Sequence, residues 1–204
     1  MAGLAAVNAV GESIVALLRA RRDLLAADGL LGPVPATLDV SQASLGRLAG
    51  GPAPGGGLTL TCYRMTLSDH PTPRVAARSA PGPASLALDL HYLLAAWPSA
   101  AAEEQAALSW AMLELAAHPV LDRGLLLPAG GWEPAETVQI VPEAASDDAL
   151  FRLWDALQQK LRLSALFRAR VVRIGLERPA DWPVVVASRF GFADAGAAPA
   201  EPVP

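Results

Sequence analysis

Cysteine, long apolar runs and aromatic side chains are all scarce in this chain of 204 residues. Cys62 is the single cysteine, which excludes an internal disulfide framework and a zinc site built on cysteines. Because it lies in an apolar stretch, we expect a buried structural thiol. No apolar run reaches the roughly 18 residues of a transmembrane helix without a charge or a breaker. The apolar N-terminus has no basic residues before it and contains Glu12, so a secretory signal is not expected either.

Neither sign of charge dominates. The 16 basic and 20 acidic residues leave a net charge of −4, which excludes a field that attracts nucleic acid or an anionic membrane. The three histidines are scattered and show no ligand spacing, so we expect no metal and no cofactor. The chain does have a 52% apolar content, supplied mostly by Ala, Leu and Val, which excludes a disordered protein.

Two periodicities alternate along the chain and predict an α+β fold, a mixed β-sheet flanked by two to three helices. Helical spacing of apolar residues predicts helices over 3–27, 99–117 and 147–160. A period of two predicts strands over 36–41, 58–67, 85–94, 136–142, 168–177 and 184–190. We interpret 1–192 as a single domain. The last residues, 193–204, have no periodicity and are expected to form a disordered C-terminal tail.

Within these elements, three apolar patterns give specific expectations. The apolar residues of 58–67 change face in the middle, which predicts a β-bulge or cover on both faces. The helix over 147–160 is expected to bury Leu150, Leu153, Trp154, Leu157 and Leu161, with Trp154 as a core anchor. The helix over 99–117 is expected to face the sheet with Leu108, Met112 and Leu115, and Trp110 is also interpreted as core.

Asp89 and His91 are the residues that most invite a catalytic interpretation, because they share one face of a predicted strand. A dyad needs a nucleophile, and no Gly-x-Ser-x-Gly elbow is present. We therefore favour a polar strand face or a subunit contact, with a hydrolase at Asp89 and His91 as a third hypothesis. Asp147 and Asp148 fall at a helix start, where capping explains them.

Candidate interface residues lie in predicted loops. Arg74 and Arg78 belong to a proline-rich loop over 68–84, which we expect to be mobile until a partner orders it. Trp132 and Trp182 are loop tryptophans, for which lid-type core packing and partner contact are equally consistent. The glycine-rich stretch 46–57 fits no phosphate-binding spacing and is interpreted as a flexible connector.

Several strings in a fixed order resemble a known family. These are Val-Gly-Glu-Ser in the first helix, Leu-Asp-Leu-His-Tyr-Leu-Leu-Ala-Ala-Trp at 88–97, Ala-His-Pro-Val-Leu at 117–121, Glu-Thr-Val-Gln-Ile-Val-Pro at 136–142, Leu-Phe-Arg-Leu-Trp-Asp-Ala-Leu-Gln at 150–158, Arg-Leu-Ser at 162–164 and Ala-Arg-Val-Val-Arg-Ile at 169–174. Over about 3–178 the chain resembles the cap (tail-terminator) family of phage-tail-like contractile injection systems.

This resemblance implies a phage tail-terminator-like fold and a structural protein rather than an enzyme. It implies a homo-oligomer, a hexameric ring, at the distal end of the tail. The ring would close the inner tube protein and anchor the last ring of the contractile sheath protein, within a phage-tail-like particle assembled in the cytoplasm. The alternative is a non-enzymatic adaptor or binding module that forms a dimer.

Overall fold

The computed structural model describes residues 2–50, 54–69 and 85–175. The helices are α1 (Ala6–Ala27), α2 (Leu45–Leu48), α3 (Ala101–Ala117) and α4 (Asp147–Ala156). The strands are β1 (Val40–Gln42), β2 (Leu58–Leu67), β3 (Ser85–Ala96), β4 (Val120–Leu121), β5 (Val138–Glu143) and β6 (Ser164–Gly175), with a 3₁₀ turn at Pro128–Gly130.

One sheet joins the six strands in the order β1-β2-β3-β6-β5-β4. β1 runs parallel to β2, and every other neighbouring pair is antiparallel. The predicted α+β fold with a mixed sheet is therefore confirmed. The parallel pair covers only residues 58–60 of β2, so most of that strand has β3 as its one neighbour in the described ranges.

The main core lies between one face of the sheet and the helices α1 and α3. Alternate residues of β3, namely Leu90, Tyr92, Leu94 and Ala96, point into it. The helices contribute their apolar stripes, which include Val10, Ile14, Leu18, Leu108, Trp110 and Leu115. Burial of Trp110 agrees with its interpretation as a core residue.

A second, smaller core lies on the opposite face beneath α2 and α4. Its members are Leu48, Leu93, Ala95, Trp97, Trp154, Leu157 and Leu166. The Trp97 and Trp154 rings meet edge to face with centroids 6.1 Å apart, and the Arg162 guanidinium lies 5.5 Å above the Trp97 ring. The indole N–H groups donate to Thr59 Oγ1 and Ser164 Oγ at 2.8 and 3.2 Å. Trp154 is thus a core residue, as its helical spacing predicts.

The change of phase in β2 has both of the predicted causes. The pairing with β3 shifts between Cys62 and Arg64, which makes Tyr63 the extra residue of a β-bulge. Before the bulge, residues 58–61 are all buried because both cores cover them. After it, the strand runs beyond the helices and its side chains become largely exposed.

Some predicted boundaries and burials are wrong. α4 ends at Ala156, because Gln158 adopts the left-handed region with φ 52°; Leu161 therefore leaves the helix and is 52% exposed. Met112 is 41% exposed, on the outer side of α3. The first strand is confined to Val40–Gln42.

The predicted connector over 46–57 contains part of α2, whose N-cap Ser44 accepts the Arg47 N–H at 3.2 Å. The predicted strand 184–190, the C-terminal tail 193–204 and nearly all of the loop 68–84 lie outside the described residues. Within the described residues, no helix combines the length and apolarity needed to cross a bilayer.

Replacing Trp154 by Ala should lower the free energy of unfolding by about 3–5 kcal/mol, because it opens a cavity in the second core. Phe151→Ala, at a half-exposed position of the same helix, is the matched control and should cost under about 1 kcal/mol. Chemical denaturation of both variants measures the difference. Equal losses would show that the Trp154 ring does not hold α4 on the sheet.

Candidate interface surfaces

A buried polar network surrounds His91 on the sheet face that carries the second core. His91 is 5% exposed. Its Nε2 lies 3.0 Å from Thr66 Oγ1 on β2, and its Nδ1 lies 2.8 Å from Glu143 Oε2 on β5. The Tyr63 ring meets the imidazole edge-on at 6.0 Å. His91 therefore links three strands, with Glu143 reaching across β6 to meet it.

Asp89 performs a different task on the same strand face. It is also 5% exposed, and its Oδ1 accepts the N–H of Val171 at 3.0 Å. Val171 has φ 59°, an unusual conformation for a β-branched residue. The pairing of β3 with β6 shifts between Leu88 and Leu90 at this level. Asp89 thus satisfies the backbone of a second bulge, and Arg168 Nη1 lies 3.9 Å from its other oxygen.

The two residues that invited a catalytic interpretation are therefore neighbours with separate partners. The order Thr66, His91, Glu143 has the spacing of a hydroxyl, a base and an orienting carboxylate. However, Thr66 lies within a ladder-paired strand, opposite Asp89, rather than on a sharp turn that exposes a nucleophile. The expected polar strand face is buried within the subunit, and its side chains connect the strands to one another.

Two titratable side chains at this network, Tyr63 and Cys62, have raised pKa values. Burial raises the pKa of the Tyr63 hydroxyl, and the Glu143 carboxylate adds to the effect. Burial also raises the pKa of the half-buried Cys62 thiol, whose Sγ lies 3.6 Å from the Arg64 carbonyl. A thiol with a raised pKa is a poor nucleophile at neutral pH, which agrees with a structural role for Cys62.

Trp132 closes one side of a cleft of about 310 Å³ near β5 and β6. Its indole N–H donates to the Leu127 carbonyl at 2.8 Å. A Cβ on Gly130 would come within 2.3 Å of the ring, so only glycine allows the indole to lie so close. Trp132 is half-buried, packs against the main core and lines the cleft. This packing fits the lid-type role that its loop setting left open, and partner contact stays a prediction.

A second recess, of about 270 Å³, lies between α3 and α4. Met112, Pro142, Leu150 and Phe167 are among the residues that line it. Phe151 in α4 has an exposed side chain, and so do Leu161 and Leu163, which follow α4 in the sequence. Of the stripe predicted for the helix over 147–160, four residues belong to or pack against the second core, and Leu161 is exposed.

Of the predicted interface residues, Trp132 lies within the described ranges, whereas Arg74, Arg78 and Trp182 do not. Among residues 2–50, 54–69 and 85–175, no group of three or more His, Cys, Asp or Glu side chains is placed to hold a metal ion. The His91 network and the bulge at Val171 were not predicted as units, because their members come from strands far apart in the sequence.

Comparison with known proteins identifies the family. Residues 9–188 match the family model described as the Pvc16 N-terminal domain. The chain belongs to this family. The resemblance to tail-terminator proteins that the sequence indicated is thereby confirmed. No curated protein sequence matches the chain.

One solved structure agrees with this family assignment at the level of the fold. The chain is similar to the PVC sheath/tube terminator in the extended state, from a cryo-EM structure of an extracellular contractile injection system. The TM-score is 0.51 at 18% identity, over 93% of this chain and 64% of that one. It is also similar to the anti-feeding prophage cap, a tube-terminating cap, with a TM-score of 0.46 at 16% identity, over 82% and 60%. The chain spans less than two thirds of either relative's length.

In this Pvc16 N-terminal domain, Asp89→Ala should lower the free energy of unfolding by about 1–3 kcal/mol, because it leaves the Val171 N–H without its acceptor. Asp89→Asn keeps an acceptor oxygen and should cost clearly less. Denaturation midpoints of the two variants provide the comparison. The role given to the Oδ1 hydrogen bond would be contradicted if Asp89→Ala left the denaturation midpoint unchanged. It would also be contradicted if Asp89→Asn lowered the midpoint as much as Asp89→Ala does.

Proposed function

We propose that this chain is the structural cap at the distal end of a contractile injection particle, where it closes the inner tube and anchors the last sheath ring. Its membership of the Pvc16 N-terminal domain family, over 9–188, carries the proposal. The fold likeness to a sheath/tube terminator supports it. The proposed partners are further copies in a hexameric ring, the inner tube protein and the contractile sheath protein.

The physical task of such a cap follows from how tubes and sheaths grow. Their subunits add head to tail through heterologous contacts, which have no natural end. A terminator must bind the last ring better than another tube ring does, and must offer no matching surface to a further ring. Closure of the ring satisfies the lateral heterologous contacts within it, and growth along the tube stops when the outward axial face carries no copy of the surface that the next ring would bind.

The described residues provide different surfaces at opposite edges of the sheet, as heterologous contacts require. The Trp132 cleft lies at the β5–β6 side, and the open edge of β2 lies at the other side of the strand order. The recess between α3 and α4 is a third surface. We keep Trp132, together with Arg74, Arg78 and Trp182, as proposed contacts within the assembly.

The proposed role is not enzymatic. Both ring nitrogens of His91 are engaged inside the subunit, and Asp89 is bonded to the bulge at Val171. These contacts support a positioning role for the residues that would otherwise favour a hydrolase. We further propose that the cap joins its particle in the cytoplasm.

Deleting the gene should leave baseplates assembled but produce tubes of irregular or excessive length, with sheaths that fail to stay extended. Electron micrographs of purified particles measure tube length and sheath state, and complementation with the wild-type gene is the control. Particles of normal length that are fully sheathed and contractile, yet lack this protein, would refute the cap function.

The mass of the purified protein, measured across a concentration series, separates the cap from an adaptor. A ring gives a mass several times that of one chain, with six copies expected. A simple dimer at all concentrations, together with normal particles in the deletion strain, would favour the adaptor hypothesis.

A further inference from the structure

Among the residues that the structure describes, the outer edge of β2 has no partner strand along most of its length. β1 pairs with Leu58 to Leu60, and the Ala43 N–H donates to the Leu60 carbonyl at 2.9 Å. The chain then turns into α2, and no strand of the described ranges lies against 61–67. An open edge presents unpaired N–H and C=O groups, which another strand can use.

The opposite edge of the sheet is protected in a way that β2 is not. There, β4 covers Val138 and Gln139, and Pro142 interrupts the rest of the edge because it has no N–H to offer. The stretch 61–67 contains neither proline nor glycine. The bulge at Tyr63 limits regular pairing, so the best acceptor on this edge is 64–67.

Exposed apolar side chains lie beside this acceptor. Met65, Leu67 and Leu86 are 58%, 68% and 51% exposed, and we call them the hairpin-end patch. Met65 pairs with Leu90 and Leu67 with Leu88, so the patch continues the main-core face beyond the cover of the helices. An open edge next to an apolar patch would aggregate unless something occupies it.

The described residues end at Gly175, close to the hairpin-end patch. β6 ends at Gly175, opposite Ser85, and Ile174 pairs with Leu86 of the patch. Because β2 and β6 are both antiparallel to β3, a chain that turns back after Gly175 runs antiparallel to β2. The outer edge of β2 is three strand spacings away, roughly 14 Å, and the residues 176–183 can span about 26 Å when extended.

The sequence beyond this link has the character of a strand. Residues 184–190 read Val-Val-Val-Ala-Ser-Arg-Phe, and β-branched residues favour a pleated, half-buried strand. The family match continues to residue 188, so the valines belong to the domain that the family shares. This stretch therefore has the reach, the direction and the composition that the acceptor edge requires.

We propose that the C-terminal segment 184–190 adds to the open edge of β2 as an antiparallel strand, and that its valines cover the hairpin-end patch. The segment is tethered through Gly175 to the same sheet, which gives it an effective concentration in the range of about millimolar. It would therefore outcompete dilute strands from other chains. This inference concerns the free subunit and does not depend on the proposed cap function.

Cysteine cross-linking in the full-length chain tests the placement. In a Cys62→Ala background, Met65→Cys is combined in turn with Val184→Cys, Val185→Cys and Val186→Cys. At least one pair should form an intramolecular disulfide under mild oxidation, because paired strands bring Cβ atoms within bonding range. Leu24→Cys with the same partners is the control and should not cross-link, since Leu24 is an exposed residue of α1. Disulfides formed only between chains would overturn the proposal in favour of a second copy's segment.

Hydrogen exchange of the full-length chain gives an independent test. Val185→Pro should speed the exchange of amides in 64–67 by about tenfold or more, because proline cannot complete the added ladder. Val185→Ala should leave these amides protected, and the amides of β6 should be unchanged in both variants, which shows that the fold is intact. Equal exchange in 64–67 for the wild type and both variants would overturn the proposal.

Discussion

The double pairing of β3 is the constraint on which the rest of this structure depends. β3 has β2 on one side and β6 on the other, and its residues alternate between two cores. Tyr92 and Leu94 face α1 and α3, whereas Leu93 and Ala95 face α4. A one-residue slip would exchange the two sets, so the helices, both cores and the neighbouring strands are all fixed by one register.

The bulge of β6 beside β3 explains why one polar group is buried in the middle of β3. Where β6 gains a residue near Val171, the ladder leaves a backbone N–H that a side chain must satisfy. Asp89 accepts from the strained Val171, and His91 connects Thr66 to Glu143. Polar residues in a central strand thus serve the sheet geometry, and they are costly to remove because unpaired buried groups remain.

The local sequence pattern predicted the long helices and strands well. It predicted short elements and contacts between distant parts of the sequence poorly. The spacing around Ile14 and Trp154 specifies helices because a continuous stripe must be buried, and the phase change in β2 revealed its bulge. α2, with its cap at Ser44, and the short β4 are too brief to show periodicity. The partners of His91 could not be predicted, because Glu143 is 52 residues away in sequence and meets it only through the strand order.

The sheet has one edge interrupted by Pro142 and different surfaces at its two edges, which agrees with the proposed role of a cap that stops an assembly from growing. The position of the protein in the particle tests this account most directly. Gold labelling of a tagged chain in intact, extended particles should place the label at one end, opposite the baseplate. Label distributed along the sheath, located at the baseplate, or absent from purified particles would contradict it.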